Sequence, residues 1–306
     1  MVAPLIFDRP LVRARRRRAS RLGPQTFLLD QVAGELAHRL RLVVRRFDLA
    51  ADVGTPTAAA RTAVMADGAI GAMIAVDPIA APAGGDDPAQ LRVVADEEAL
   101  PFGDGTLDLV VSALSLHAIN DLPGALVQIR RALKPDGLFL GALAGGATLT
   151  ELRDSFAEAE SELHGGLSPR VAPFADVREI GALLQRAGFA LPVADVDRIT
   201  VRYGSPFRLL ADLRAMAAAN PLVERRRVPL RRATLMRAME VYAARFADPD
   251  GRLRATFDIV FVSGWAPHES QQQPLRPGSA KARLADALGT TETVIGDKPE
   301  RRPREP

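Results

Sequence analysis

The sequence predicts an α/β fold: an open, mostly parallel, seven-stranded sheet with helices on both faces and an antiparallel last strand. Three observations lead there. The first is a set of seven strand-like runs: FDLAADV, AIGAMIAVD, LRVVAD, LDLVVSAL, LFLGAL, VADVDRITVRY and RATFDIVFVSGW. The second is that LRVVAD, LDLVVSAL and LFLGAL are apolar on both faces, which marks them as central parallel strands covered by helices. The third is LPGALVQIRRAL, where Leu122, Leu126, Ile129 and Leu133 recur at helical spacing and supply the crossover that parallel neighbours need. In such sheets the ligand crevice lies at the carboxyl ends of the strands, which puts Asp96, Glu97, Ser115, His117 and Asn120 on its rim.

The elements follow in order. FLLDQVAGELAHRLRLVV carries Leu28, Val32, Leu36, Leu40 and Val43 on one helical stripe and reads as a helix packed on the sheet. FDLAADVG is the first strand, and Gly54-Thr55-Pro56-Thr57 is the loop after it. Thr57 is placed to cap the short helix AAARTAVMA. AIGAMIAVD ends at Asp77-Pro78, and residues 81 to 90 read as a surface loop. Asn120 and Asp121 stand before Leu122-Pro123, where they can cap the crossover helix. Lys134-Pro135-Asp136-Gly137 is a turn. GGATLTELRDSFAEAESEL is a long helix with a threonine cap, and DVREIGALLQRAGF is a helix stopped by Gly188. VADVDRITVRY alternates as an exposed-side strand does. Between it and the last strand lie two amphipathic helices. Phe207, Leu210, Leu213 and Met216 form the stripe of one, and Leu235, Met239, Tyr242 and Phe246 that of the other. Mutual packing as a cap over the crevice is their expected use, and a partner surface is the rival one.

Composition narrows the chemistry. There are no cysteines in 306 residues, which removes disulfides, thiolate zinc sites, iron–sulfur ligation and thiol catalysis. The four histidines show no paired spacing, so no metal centre is expected. Hydrophobic residues make up 47% and charged residues 25%, as in an ordinary globular protein, and a cytoplasmic location fits. Charge is uneven: residues 1 to 46 carry eleven arginines against three acidic residues, most of them in RARRRRASR at 13 to 21. Such a run can meet an anionic membrane surface or remain a solvated helix face. Without interleaved aromatics it predicts no specific nucleic-acid partner. No stretch is long enough to span a bilayer.

The order strand, glycine loop, helix, strand, acidic end is that of a nucleotide-binding half. A tight loop lets backbone N–H groups approach a ligand, a carboxylate at the second strand end can take ribose hydroxyls, and a third acid can accept from an adenine amino group. Gly54, Asp77 and Asp96 are those three posts.

At this point a resemblance becomes specific. ADVG, IAVD and VVADEEALPFGDGTLDLVVSALSLHAINDLPGALVQIRRALKPDGLFLGAL, roughly residues 47 to 145, resemble the class I S-adenosylmethionine-dependent methyltransferases, whose fold is Rossmann-like, in the branch of the biotin-pathway malonyl-carrier-protein methyltransferase. IFDR, GGATLTELRDSF, SPRVAPFADVREIGALLQRAGF and GWAPHE resemble complex I assembly factor five and its bacterial relatives over nearly the whole chain. The resemblance implies S-adenosylmethionine as cofactor, with Asp52, Gly54, Thr55, Asp77, Asp96, Glu97 and Ser115 as its binding residues. It implies a protein side chain as substrate, with methyl transfer as the reaction. The alternative is complex I assembly, with a respiratory complex I subunit as partner and arginine hydroxylation or no catalysis at all. The glycine loop departs from the family pattern, since Thr55, Pro56 and Thr57 follow Gly54 in place of further glycines.

His117 and Tyr203 are the catalytic candidates, and Arg202 and Arg225 to Arg227 are possible substrate contacts. The domains expected are a basic helical segment at 1–46, the core at 47–204, the helical cap at 205–250, the last core strand at 251–264 and a mostly disordered tail at 265–306. A peripheral membrane contact through the arginine run accompanies the cytoplasmic expectation.

Overall fold

The computed structural model describes residues 5–79, 87–272 and 289–290. The chain divides into two units, Met1–His268 and Glu269–Pro306. Of the tail expected at 265–306, residues 273–288 and 291–306 fall outside the described residues, as does most of the loop at 81 to 90.

Within the first unit the chain begins with two helices, α1 (Arg9–Leu22) and α2 (Phe27–Arg41). The first half of the sheet follows as β1 (Phe47–Val53), α3 (Ala59–Met65), β2 (Ile70–Asp77), β3 (Leu91–Val94) and β4 (Leu107–Ala113). Then come α4 (Leu122–Ala132), β5 (Leu133–Ala144), α5 (Thr150–His164), α6 (Val177–Arg186) and β6 (Ala190–Tyr203). The chain returns through α7 (Pro206–Ala215) and α8 (Arg232–Phe246) to β7 (Leu253–Trp265). The seven strands lie in the order β3-β2-β1-β4-β5-β7-β6. β1 to β5 pair in parallel, and β7 inserts antiparallel between β5 and β6.

Side chains of period two divide the core between two faces. Leu109, Val111, Leu138, Leu140, Ile259 and Phe261 meet α2, α5 and α8 on one side. Val110, Phe139, Val260 and Val262 meet α4 and α6 on the other. Leu36 and Ile129 are fully buried on these two helix layers, and burial of each stabilises the fold by about 2 kcal/mol.

Several local expectations are corrected. LRVVAD is not central: β3 is the sheet edge, and Leu91 and Val94 are 59% and 64% exposed. Residues 134–137 are not a separate turn but an irregularity inside β5, where Asp136 takes a left-handed φ of 64° and the pairing register with β4 shifts. Asp121 does cap α4, accepting from the Gly124 N–H at 2.8 Å, whereas Asn120 has a different job described below. The N-cap of α5 is Leu149, which offers no side-chain cap, and Thr148 instead donates its hydroxyl to the Asp258 carbonyl at 3.0 Å. Thr57 accepts from the Ala59 N–H at 3.2 Å, although the helix N-cap itself is Ala58.

Candidate functional site

The crevice begins at the carboxyl end of β1. Gly54 has a φ of +74° and donates its N–H to the Val76 carbonyl at 2.7 Å, binding the loop to β2. A Cβ there would strike the Ser115 hydroxyl and lie 2.7 Å from Glu97 Oε1, so only glycine fits beneath these two side chains. Thr55 turns inward: its hydroxyl bonds the Asp52 carboxylate and accepts from the Ala113 N–H at 3.1 Å, tying β1 to β4. Asp52 is fully buried, which pushes its pKa up, and Arg61 answers it at 2.9 Å. Asp52 and Thr55 therefore brace the loop from below, and neither faces the crevice.

Three acidic residues form the rim. Asp77, at the end of β2, accepts from the Ile79 N–H at 2.7 Å. Asp96, after β3, accepts from the Glu98 N–H at 3.1 Å. Glu97 is 1% exposed and accepts from the Ser115 hydroxyl at 2.8 Å. A carboxylate this deep requires a cation or several donors.

α1 supplies the cations. Arg9 bonds Asp96 at 2.9 Å and also Glu97, and Arg13 bonds Asp96. Arg16 reaches Asp77 at 2.8 Å, Glu97 at 3.3 Å and the Gly54 carbonyl at 2.8 Å. The run at 13 to 21, expected to be solvated or membrane-facing, thus splits: Arg13 and Arg16 join Arg9 on an inward helix face, and Arg17, Arg18 and Arg21 are exposed. Sequence spacing carries a signal for the shared face, since 9, 13 and 16 are one turn apart, but none for what lies opposite. Burial raises the Asp77 pKa to about 6 despite Arg16 beside it. Asp96 stays below the usual carboxylate range: burial pushes it up, but the Glu98 N–H and the guanidinium groups of Arg9 and Arg13 prevail.

Beside the rim lies a cavity of about 660 Å³, walled by Glu97, Ser115, His117, Phe174, Leu213 and Met216 among others. His117 packs edge-on against Phe174, with ring centroids 5.8 Å apart, and its Nδ1 has no hydrogen-bond partner. Burial, with Arg16 nearby, lowers its pKa to about 4, so the ring is neutral at physiological pH. Pro56 and Thr57 also reach this wall, whereas Gly54, Asp77 and Asp96 lie outside it. α7 and the segment after it roof the cavity through Leu210, Leu213 and Met216.

Asn120 was legible as a rim residue but not in its role. Its side-chain oxygen accepts from the N–H groups of Ile6 and Phe7, both at 2.8 Å, and its amide donates to the Phe7 carbonyl at 3.1 Å. Tyr203 is placed away from the cavity wall, buried in the core that contains Tyr242, and burial raises its pKa. Arg202 pairs with Asp248 at 2.8 Å and Asp250 at 2.6 Å, and Arg225 with Asp8 at 3.0 Å, so both are engaged within the chain. Among the described residues no group of three or more His, Cys, Asp or Glu could hold a metal ion.

The donor set suits an adenosyl group. Asp77 and Asp96 are acceptors at the second and third strand ends, and Gly54 keeps a Cβ out of the loop. What stands over them is the arginine face of α1, with Arg9 and Arg13 on Asp96 and Arg16 on Asp77.

Comparison with known proteins agrees with this architecture. Residues 51–141 match the methyltransferase domain family model. The YcgJ protein from Bacillus subtilis superposes with a TM-score of 0.50 at 13% identity, covering 76% of this chain and 98% of that one, a likeness of fold. Malonyl-[acyl-carrier protein] O-methyltransferase of Gallionella capsiferriformans is 37% identical over 58% of this chain and 59% of its own length. The mitochondrial arginine-hydroxylase NDUFAF5 of Danio rerio is 39% identical over 92% of this chain and 89% of its own length. Its Homo sapiens counterpart is 41% identical over 95% and 85%. With similarity covering more than nine-tenths of its length, the chain belongs to the NDUFAF5 arginine-hydroxylase family, built on the class I methyltransferase fold.

Proposed function

We propose that the protein binds S-adenosylmethionine on the crevice rim and modifies an arginine side chain of a protein substrate that enters through the adjoining cavity. Asp77 would take the ribose hydroxyls and Asp96 the adenine amino group, with Gly54 beneath them. When bound, S-adenosylmethionine supplies an electrophilic methyl group. The observation that carries the substrate reading is Glu97: a carboxylate 1% exposed on the cavity wall, already bonded to guanidinium groups from its own chain. If those leave, the buried charge must find another guanidinium, which an arginine-bearing substrate supplies. Neutral His117, with its free Nδ1, stands on the same wall and is a candidate to accept a proton from the substrate.

Hydroxylation is the reaction for which the mitochondrial relatives are named, and a respiratory complex I subunit is the partner that the family likeness suggests. Methyl transfer is the second reading, supported by the domain match over residues 51–141. A cytoplasmic protein is expected. Arg17, Arg18 and Arg21 on the outer side of α1 remain available for contact with an anionic membrane face, and no described helix is long and apolar enough to cross one.

Calorimetric titration with S-adenosylmethionine should give a saturable signal in the wild type and none in Asp77→Ala. Incubation of an arginine-bearing complex I subunit with the protein, S-adenosylmethionine, dioxygen and a two-electron reductant, followed by intact mass measurement, should show a gain of one oxygen, taken from dioxygen with the second oxygen atom leaving as water, or of one methylene, taken from the cofactor's methyl group, and so decide the reaction. Absence of a calorimetric signal at saturating ligand abandons the cofactor reading, and an unmodified subunit abandons the substrate reading.

A further inference from the structure

α1 is attached to the body almost wholly through polar contacts. Its buried residues are Arg9 and Ala19 alone. On one side Arg9, Arg13 and Arg16 sit on Asp77, Asp96 and Glu97. On the other, Arg15 donates to the carbonyls of Ala219 at 2.8 Å and Asn220 at 2.6 Å, and Arg225 pairs with Asp8 at 3.0 Å. The helix ends at Gly23, with a φ of +87°, followed by exposed Pro24 and Gln25 before α2. An element held by charge at one rim and followed by a glycine pivot can detach without opening the core. A carboxylate that accepts from a guanidinium has few acceptor sites left for a second ligand's hydroxyl or amino groups.

We infer that α1 is a built-in competitor for the cofactor seat, its arginines occupying the same carboxylates that an adenosyl group needs, so that cofactor uptake and α1 docking exclude each other. This rests on the cofactor site proposed above and adds its regulation. The docked helix holds the protein in a closed, cofactor-free state, and anything that draws the arginines away raises the apparent affinity for the cofactor. Because the contacts are ionic and partly solvent-accessible, rising salt shifts the balance toward the open state.

The test uses the full chain and has two arms. Hydrogen–deuterium exchange of the amides of residues 9–22, with and without S-adenosylmethionine, should be faster with ligand by about tenfold or more, the factor by which displacement depopulates the docked state. In the second arm, Arg13→Gln with Arg16→Gln, which frees Asp77 and removes one of the two guanidinium groups on Asp96 while Arg9 stays on Asp96 and Glu97, should tighten the dissociation constant about tenfold by weakening the competing state. Uptake by the wild type with α1 exchange unchanged or slowed overturns the competition and makes α1 a clamp over the ligand. An unchanged or weaker affinity in the double variant overturns it as well. Failure of both proteins to take up S-adenosylmethionine overturns the cofactor site and, with it, this inference.

Discussion

Gly54 is the residue on which the crevice closes. Its left-handed backbone and the nearness of Ser115 and Glu97 leave no room for a Cβ. Gly54→Ala should lower stability by about 2 kcal/mol or more, read as a shift in the urea midpoint, and an unshifted midpoint would show that the loop relaxes freely. His117 makes a second residue-scale test. Its folded pKa is about 4 against an ordinary value of 6.5, so the unfolded chain binds the extra proton between those values. Stability from this group is complete above pH 6.5 and is lost as pH falls through about 4, with a total on the order of 3 kcal/mol. Asp77 acts in the opposite sense: its folded pKa of about 6 exceeds 3.8, so its share is present at low pH and is lost as pH rises through about 6. The two slopes offset each other in the wild type. His117→Phe should therefore lose less stability than the wild type between pH 6.5 and 4. Parallel curves for the two proteins would mean that the ring is not buried in its neutral form.

At the scale of elements, adjacent residues that look alike in sequence divide their labour. Asn120 and Asp121 both have the chemistry of a helix cap, yet only Asp121 caps α4, and Asn120 pins the chain leading into α1. Asp121→Ala should destabilise the protein by about 1 kcal/mol while leaving amide exchange at residues 6–8 unchanged. Asn120→Ala should accelerate that exchange and leave α4 protected; the reverse pattern would exchange the two roles. α1 itself shows where periodicity stops being informative. The spacing of Arg9, Arg13 and Arg16 establishes a common face, but their partners lie 61 to 88 residues away in sequence, and helical geometry does not choose among distant acids. β3 was misplaced for a related reason. Its apolar pattern is that of a covered strand, and the uncovered edge of the sheet is fixed by strand order, which no single strand encodes.

Over the whole molecule, strand number, parallel order and the antiparallel return were readable because long apolar runs alternating with helical stripes admit few topologies. Gly54, Asp77 and Asp96 were readable as a group because strand ends in such a sheet converge on one lip. The occupants of that lip were not, since they come from a segment outside the nucleotide-binding half. The placement of β7 carries one more consequence. β5 ends at Ala144 and β6 at Tyr203, yet the strand that joins them spans Leu253–Trp265. During synthesis the flank of β5 that ends at Ala144 stays bare, and β6 that ends at Tyr203 has no partner, until the chain has been made through β7 at Leu253–Trp265. The nascent protein therefore exposes an unpaired apolar margin from the completion of β5 at Ala144 until β7 arrives at Leu253, a condition that favours chaperone engagement and makes a chain truncated before residue 253 prone to aggregate.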